Sequence, residues 1–168
     1  MEEYIMTIDE GTTSARAVLF NKDSEIIAIC AKEFAQYYPQ PGWVEQDPKE
    51  IWLTTKEVIN RVVLQAGIDP RQIKAAGITN QRETVVVYDK NTGEPVYNAI
   101  GWADRRTAPY CDELKAAGKE QMFIDKTGLL IDGYFSGTEI KWILDNVPGA
   151  REKAEAGDLY FRSEERRV

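Results

Sequence analysis

The first third of the chain alternates short apolar runs with clusters of turn-forming residues. Tyr4 to Ile8 is apolar enough to predict a strand, and it gives way to Asp9-Glu10-Gly11-Thr12-Thr13-Ser14, which is turn chemistry. Ala15 to Phe20 predicts a second strand, Asn21-Lys22-Asp23-Ser24 a turn, and Glu25 to Phe34 a third strand. Three short strands on tight connections predict an antiparallel meander. After the Pro/Gly loop Tyr38-Pro39-Gln40-Pro41-Gly42-Trp43, the pattern changes period. Asp47-Pro48 has the form of a helix N-cap followed by proline at the first helical position. Ile51, Trp52, Thr55, Val58, Ile59, Val62, Val63 and Ala66 follow at helical spacing, and Gly67 closes the helix.

Further on, Ile73 to Thr79 reads as a buried strand. Thr84 to Tyr88 predicts another, with a hairpin turn at Asp89-Lys90-Asn91-Thr92-Gly93 and a return strand over Val96 to Trp102. Asp104 to Ala117 and Glu120 to Lys126 predict polar helices. Ile140, Ile143, Leu144 and Val147 form one apolar helix face, terminated by Pro148-Gly149. Glu152 to Ala156 predicts a short helix, and Leu159 to Phe161 a last strand with nothing left to pair with. Strands in consecutive runs, then helix, then strand indicate a mixed α/β layered fold.

Composition narrows the chemistry. The 168 residues suffice for one domain with a real core. With 21 basic and 28 acidic residues the formal net charge is −7, which argues against nucleic acid and anionic membrane surfaces as partners. The sequence has no histidine, so histidine-based triads and metal sites are excluded and acid–base work falls to carboxylates, lysine or tyrosine. Two distant cysteines, Cys30 and Cys111, read as reduced thiols. The acidic start, Glu2-Glu3, resembles neither a signal nor a transit peptide, and no stretch has membrane-spanning length, so a cytoplasmic location is expected.

The turn after the first strand is the first candidate site. A tight bend at Gly11 would expose backbone N–H groups beside the hydroxyls of Thr12, Thr13 and Ser14, a donor set suited to phosphate oxygens. Asp9 could hold a hydrated magnesium ion, and Arg16 adds positive charge. On composition alone an ordinary β-hairpin turn is the favoured reading of the same residues.

A longer set of motifs changes that balance. Asp9-Glu10-Gly11-Thr12-Thr13 between two meander strands is similar to the phosphate loop of actin and sugar kinases. Tyr38 to Glu45, Ile78-Thr79-Asn80-Gln81-Arg82-Glu83-Thr84, Tyr97 to Ile100, Trp102 with Asp104-Arg105-Arg106-Thr107, Thr127-Gly128-Leu129, Tyr134-Phe135-Ser136 and Lys141 to Leu144 all resemble glycerol kinases of the FGGY carbohydrate kinase family, in the family's order from about Tyr4 to Phe161. The resemblance implies the N-terminal part of a ribonuclease-H-like, actin-like ATPase fold over residues 1–161. It implies ATP-dependent phosphorylation of glycerol, with ATP and Mg2+ as cofactors. Asp9 would assist the magnesium–ATP complex, and Thr12, Thr13, Ser14 and Arg16 would contact nucleotide phosphates. Arg82, Glu83 and Tyr134 would hydrogen-bond glycerol hydroxyls, and Trp102 would pack on its carbon face. A related sugar or polyol kinase is the alternative.

Some positions depart from the family. Glu139 stands where lysine is the more familiar residue, on a helix face expected to be solvent-exposed; Gly101, Ala103 and Gly133 also differ. After Phe161 the text reads Arg-Ser-Glu-Glu-Arg-Arg-Val, a charged tail over 162–168 whose nativeness the sequence leaves open. The family's general-base aspartate and its second, adenosine-holding lobe would lie beyond this chain. The expectation is therefore a 168-residue piece that is inactive alone and self-associates, within a parent enzyme that forms homo-oligomers.

Overall fold

The computed structural model describes residues 2–163, so the charged run from Glu164 onward lies outside the described residues. Within them the chain forms two compact units. One comprises the stretch up to Gln36 with Asp47–Gln81, the other Tyr37–Gln46 with the chain from Arg82 onward.

The first unit contains the meander that the apolar runs predict. Strands β1 (Tyr4–Glu10), β2 (Ser14–Asn21) and β3 (Ile26–Glu33) pair antiparallel in sequence order. A two-residue strand, β4 (Glu45–Gln46), belongs to the second unit, and helix α1 (Pro48–Ala66) returns the chain to the first. The Asp47 side chain accepts from the Lys49 N–H at 2.8 Å, and Gly67 ends the helix in the left-handed region at φ 64. Strand alternation puts Tyr4, Met6, Ile8, Ala15, Ala17 and Leu19 on one face, where they form a core with Val58 and Val62 of α1. Trp52 lies outside this stripe, 58% exposed with the Lys56 ammonium over its ring, whereas Thr54 is buried.

A 3-10 turn at Pro70–Gln72 leads into β5 (Ile73–Asn80), parallel to β1 at the margin of the four-stranded sheet, order β3-β2-β1-β5. This strand is not buried as expected: most of it is exposed, Ile78 to 72%. The reason is lateral position. Helix α1 lies over β1, β2 and β3, while β5 sits at the sheet margin.

The second unit is built around β6 (Val86–Asp89). The hairpin turn that follows is as expected, with Gly93 N–H donating to Asp89 O at 2.8 Å. The chain does return along 85–89, with Val96 N–H donating to Val87 O at 3.0 Å and Val85 and Ile100 exchanging bonds at 3.1 and 3.2 Å, but only β7 (Ala99–Ile100) forms a named strand, paired with β4. Between those bonds the Tyr97 and Asn98 side chains donate to the Glu45 carboxylate, at 2.6 and 2.9 Å. Helix α2 (Ala108–Ala116) begins later than expected, since Asp104 and Arg106 are engaged in a turn. Helices α3 (Glu120–Thr127), α4 (Ser136–Asn146) and α5 (Ala150–Glu155) follow. The final strand, β8 (Leu159–Arg162), does find a partner, pairing antiparallel with β6. Val85, Val87, Ile100, Ile143 and Ala150 make this unit's core.

Candidate active site

The β1–β2 connection is a three-residue turn closed by the Gly11 N–H donating to Ser14 O at 2.9 Å. A Cβ on Gly11 would lie 3.2 Å from that oxygen, so glycine lets the turn close this tightly. The Gly11 N–H is thereby spent inside the turn. Phe34 N–H donates to Thr13 O at 3.2 Å, tying the loop to the end of β3. The Thr55 hydroxyl on α1 donates to the Glu10 carboxylate at 3.1 Å.

Register then sorts the side chains. Asp9 stands opposite Arg16 on β2 and opposite Thr79 on β5. Alternation puts these residues and Ser14 on the sheet face away from α1. Arg16 and Thr13 are exposed; Asp9, Thr12 and Ser14 are half-buried. Hydroxyls, a guanidinium and one carboxylate at a strand end suit a phosphate chain carrying a hydrated cation. Among the described residues no group of three or more histidine, cysteine or carboxylate side chains could hold a metal by itself. A metal here would have to share its ligands with water and phosphate.

The other predicted residues lie in the second unit, and two of them touch. The Trp102 and Tyr134 rings meet edge-on, centroids 5.9 Å apart, and Tyr134 meets Phe135 in the same way at 5.1 Å. Trp102 is 38% exposed. Glu83 has a left-handed backbone at φ 69, a strained state for a residue with a Cβ. The adjoining backbone is held from two directions. The Ser136 hydroxyl donates to Glu83 O at 2.9 Å, and Trp102 N–H donates to Thr84 Oγ1 at 3.3 Å. Asp132 accepts from Tyr134 N–H at 2.8 Å and pairs with Arg105 at 2.9 Å. Arg82 precedes Glu83 and is exposed. A cavity of about 540 Å³ opens beside Glu83, walled by Tyr110, Phe123, Leu130, Phe135 and Lys141; Arg82, Trp102 and Tyr134 do not line it.

Behind these residues lies a buried ionic network to which sequence reasoning gave no role. The Arg106 guanidinium bonds Glu45 at 2.8 Å and Asp104 at 2.9 and 3.0 Å. It also packs against Trp43 and Trp142, 3.9 and 4.6 Å from the ring centroids. Asp104 accepts in addition from Val44 N–H at 2.6 Å. Burial raises the Glu45 pKa, but hydrogen bonds from Tyr97, Asn98 and Arg106 outweigh it and leave the carboxyl below its ordinary value. The signal was the Asp104-Arg105-Arg106 run, which predicted a helix rather than a turn.

Glu139 overturns another expectation. It is fully buried, not exposed. The apolar stripe read from Ile140, Ile143 and Val147 extends one turn back to Glu139, four residues before Ile143, so α4 carries it inward.

The model of the FGGY family of carbohydrate kinases, N-terminal domain, matches residues 4–163. This chain belongs to that family. It is 61% identical over 160 residues to a glycerol kinase of Carboxydothermus hydrogenoformans, covering 95% of this chain and 32% of that protein. A glycerol kinase of Geobacillus sp. (strain WCH70) is 60% identical over 161 residues, again with 32% of its length covered. The chain thus spans about a third of the length of the curated relatives it matches. Among solved structures, Plasmodium falciparum glycerol kinase with ADP superposes with a TM-score of 0.88 at 30% identity, over 96% of this chain and 32% of that one. Gluconate kinase of Lactobacillus acidophilus gives 0.79 at 25%, over 87% and 29%. The fold is therefore that of the FGGY kinases, in keeping with the mixed sheet and flanking helices expected from the sequence.

Proposed function

We propose that the whole protein is an ATP-dependent glycerol kinase, transferring the γ-phosphoryl group of ATP to a terminal glycerol hydroxyl to give glycerol 3-phosphate and ADP. The observation that carries this reading is the grouping of Glu83 with the Trp102–Tyr134 pair, in a chain about 60% identical to glycerol kinases throughout. Glycerol has three hydroxyls on a three-carbon apolar edge. The Glu83 carboxylate accepts from a hydroxyl, the Arg82 guanidinium donates to one, and the Tyr134 phenol does either. The Trp102 ring covers the C–H edge. A substrate lacking one of these hydroxyls would leave a polar partner unpaired, which is the basis of selectivity.

On the nucleotide side, Thr12, Thr13, Ser14 and Arg16 hold phosphate oxygens. Asp9 would hold a magnesium ion through water, and such an ion would supply screening of the phosphate charge; one carboxylate with substrate phosphates suits it. In the reaction the glycerol oxygen bonds to the γ-phosphorus as the bond to the β–γ bridging oxygen breaks. The hydroxyl proton passes to a base contributed by the rest of the enzyme. Cytoplasmic residence is part of the proposal, supported by two buried free cysteines.

The test is substrate choice by the whole protein, offered ATP with glycerol, xylulose, ribulose or gluconate. Glycerol is expected to give by far the highest kcat/KM. Preference for a sugar would instead assign a different FGGY substrate, the second reading favoured by likeness to gluconate kinase.

A further inference from the structure

Glu139 is a buried titratable group that the proposed reaction does not use. Its side chain is wholly enclosed, and among the described residues neither carboxyl oxygen has a hydrogen-bond partner. The charged groups facing it are Asp104 and Arg106, from the turn after Trp102, and Glu83, from the segment before β6. Arg106 is already committed to Glu45 and Asp104 and packed against two indole rings. An ionised Glu139 would therefore add a further negative charge to a dry, carboxylate-rich region. Burial, then the charge of Asp104, pushes its pKa up to about 10, with Arg106 opposing and Glu83 adding to the rise.

The turn of α4 that carries Glu139 also holds the polyol group. Tyr134 and Phe135 lead directly into α4, and the Ser136 hydroxyl holds Glu83 O. Thr138 and Thr107 share a hydroxyl–hydroxyl bond of 2.9 Å, joining the same turn to the segment after Trp102. Displacing this turn would move Glu83 and Tyr134 together.

We propose that Glu139 is a positioning residue for the polyol site, held as a neutral carboxylic acid that lets the first turn of α4 close against Glu83 and Asp104. Ionisation would set three carboxylates against one another and loosen both Glu83 and the Trp102–Tyr134 pair. The effect on substrate rests on the glycerol kinase reading; the enclosure of a neutral acid does not.

The sign of the pH effect follows from linkage. The folded pKa stands above the unfolded one, so the folded state binds the extra proton. The stabilisation is complete below about pH 4.5 and is lost as pH rises toward about 10. Within that window the folded-to-unfolded ratio falls by up to about ten-fold per pH unit from this group alone.

The experiment compares wild type, Glu139→Gln and Glu139→Lys by urea denaturation of the chain from pH 6 to 9, and by glycerol KM and kcat of the whole protein over the same range. Wild type is expected to lose stability with rising pH more steeply than either variant. Its KM for glycerol should rise with pH, and in the Gln variant this rise should vanish while the pH course of kcat stays close to wild type. Should the Gln variant not fold, the Lys variant, whose cation would face Glu83 and Asp104, carries the comparison. Equal denaturation slopes in wild type and variants would overturn the neutral acid. Different slopes with the same KM profile would overturn the positioning role. A wild-type protein that phosphorylates no glycerol at any pH would overturn the kinase reading instead, and the slopes would still decide the state of Glu139.

Discussion

At the scale of single residues, the second unit depends on Arg106. Its guanidinium is enclosed and bonded to two carboxylates, and it packs against two indoles that meet each other edge-on. Arg106→Ala would leave Glu45 and Asp104 buried and uncompensated, and should cost about 3–5 kcal/mol. Arg106→Lys should also destabilise, because an ammonium cannot reproduce the planar fork or the stacking. Urea denaturation at neutral pH measures both. The network has its own acid limit. Glu45 titrates below its ordinary value when folded, so its contribution is present above the unfolded pKa near 4.5 and fades as pH falls through the lower folded one. Glu83 offers a test in which stability and function diverge. Its φ of 69 suits glycine, so Glu83→Gly should gain up to about 1 kcal/mol from relaxed backbone strain. The same change removes the carboxylate proposed to bind glycerol, and KM for glycerol should rise at least ten-fold. A variant that bound glycerol normally would remove Glu83 from the site.

At the scale of elements, local signals and their failures have separable causes. Helix α1 was legible end to end because its stops are chemical. Asp47 accepts an orphan N–H, Pro48 needs none, and Gly67 takes the left-handed turn. Asp47→Ala should cost about 1 kcal/mol, and Gly67→Ala a similar amount, since a Cβ at φ 64 is strained although no atom obstructs it. Thermal denaturation reads both. The meander was equally plain, because alternation and turn residues mark each strand. The return segment over Val96 to Trp102 pairs with 85–88 but is regular strand only at Ala99–Ile100. Between the paired positions, Tyr97 and Asn98 bond Glu45, 52 and 53 residues earlier in the chain. The predicted helix start at Asp104 failed: that carboxylate serves Val44 and Arg106 instead of the helix.

At the scale of the whole molecule, strand β5 governs how the 168-residue chain behaves alone. It is a sheet margin with Ile78 largely exposed, and Ile5 and Ile29 are about half exposed elsewhere on the sheet. An open strand edge with apolar side chains favours association. The chain alone is expected to sediment as dimers or larger species at micromolar concentration, and Ile78→Lys to shift it toward monomer. Glycerol 3-phosphate formation by the chain alone is expected to be undetectable. Sedimentation and a coupled phosphorylation assay check the two outcomes independently.

What the sequence determined by itself was whatever is encoded within a turn or two: strand alternation, helix caps, the Gly11 turn and the ordered motifs that point to a phosphate loop and a polyol group. What only tertiary structure decided was exposure and charge environment. The β5 strand is apolar like its neighbours but stands at the margin of the sheet. Glu139 is charged by type, yet α4 turns it into a region crowded with carboxylates. Exposure and pKa depend on which distant residues arrive alongside, and no local pattern contains that information.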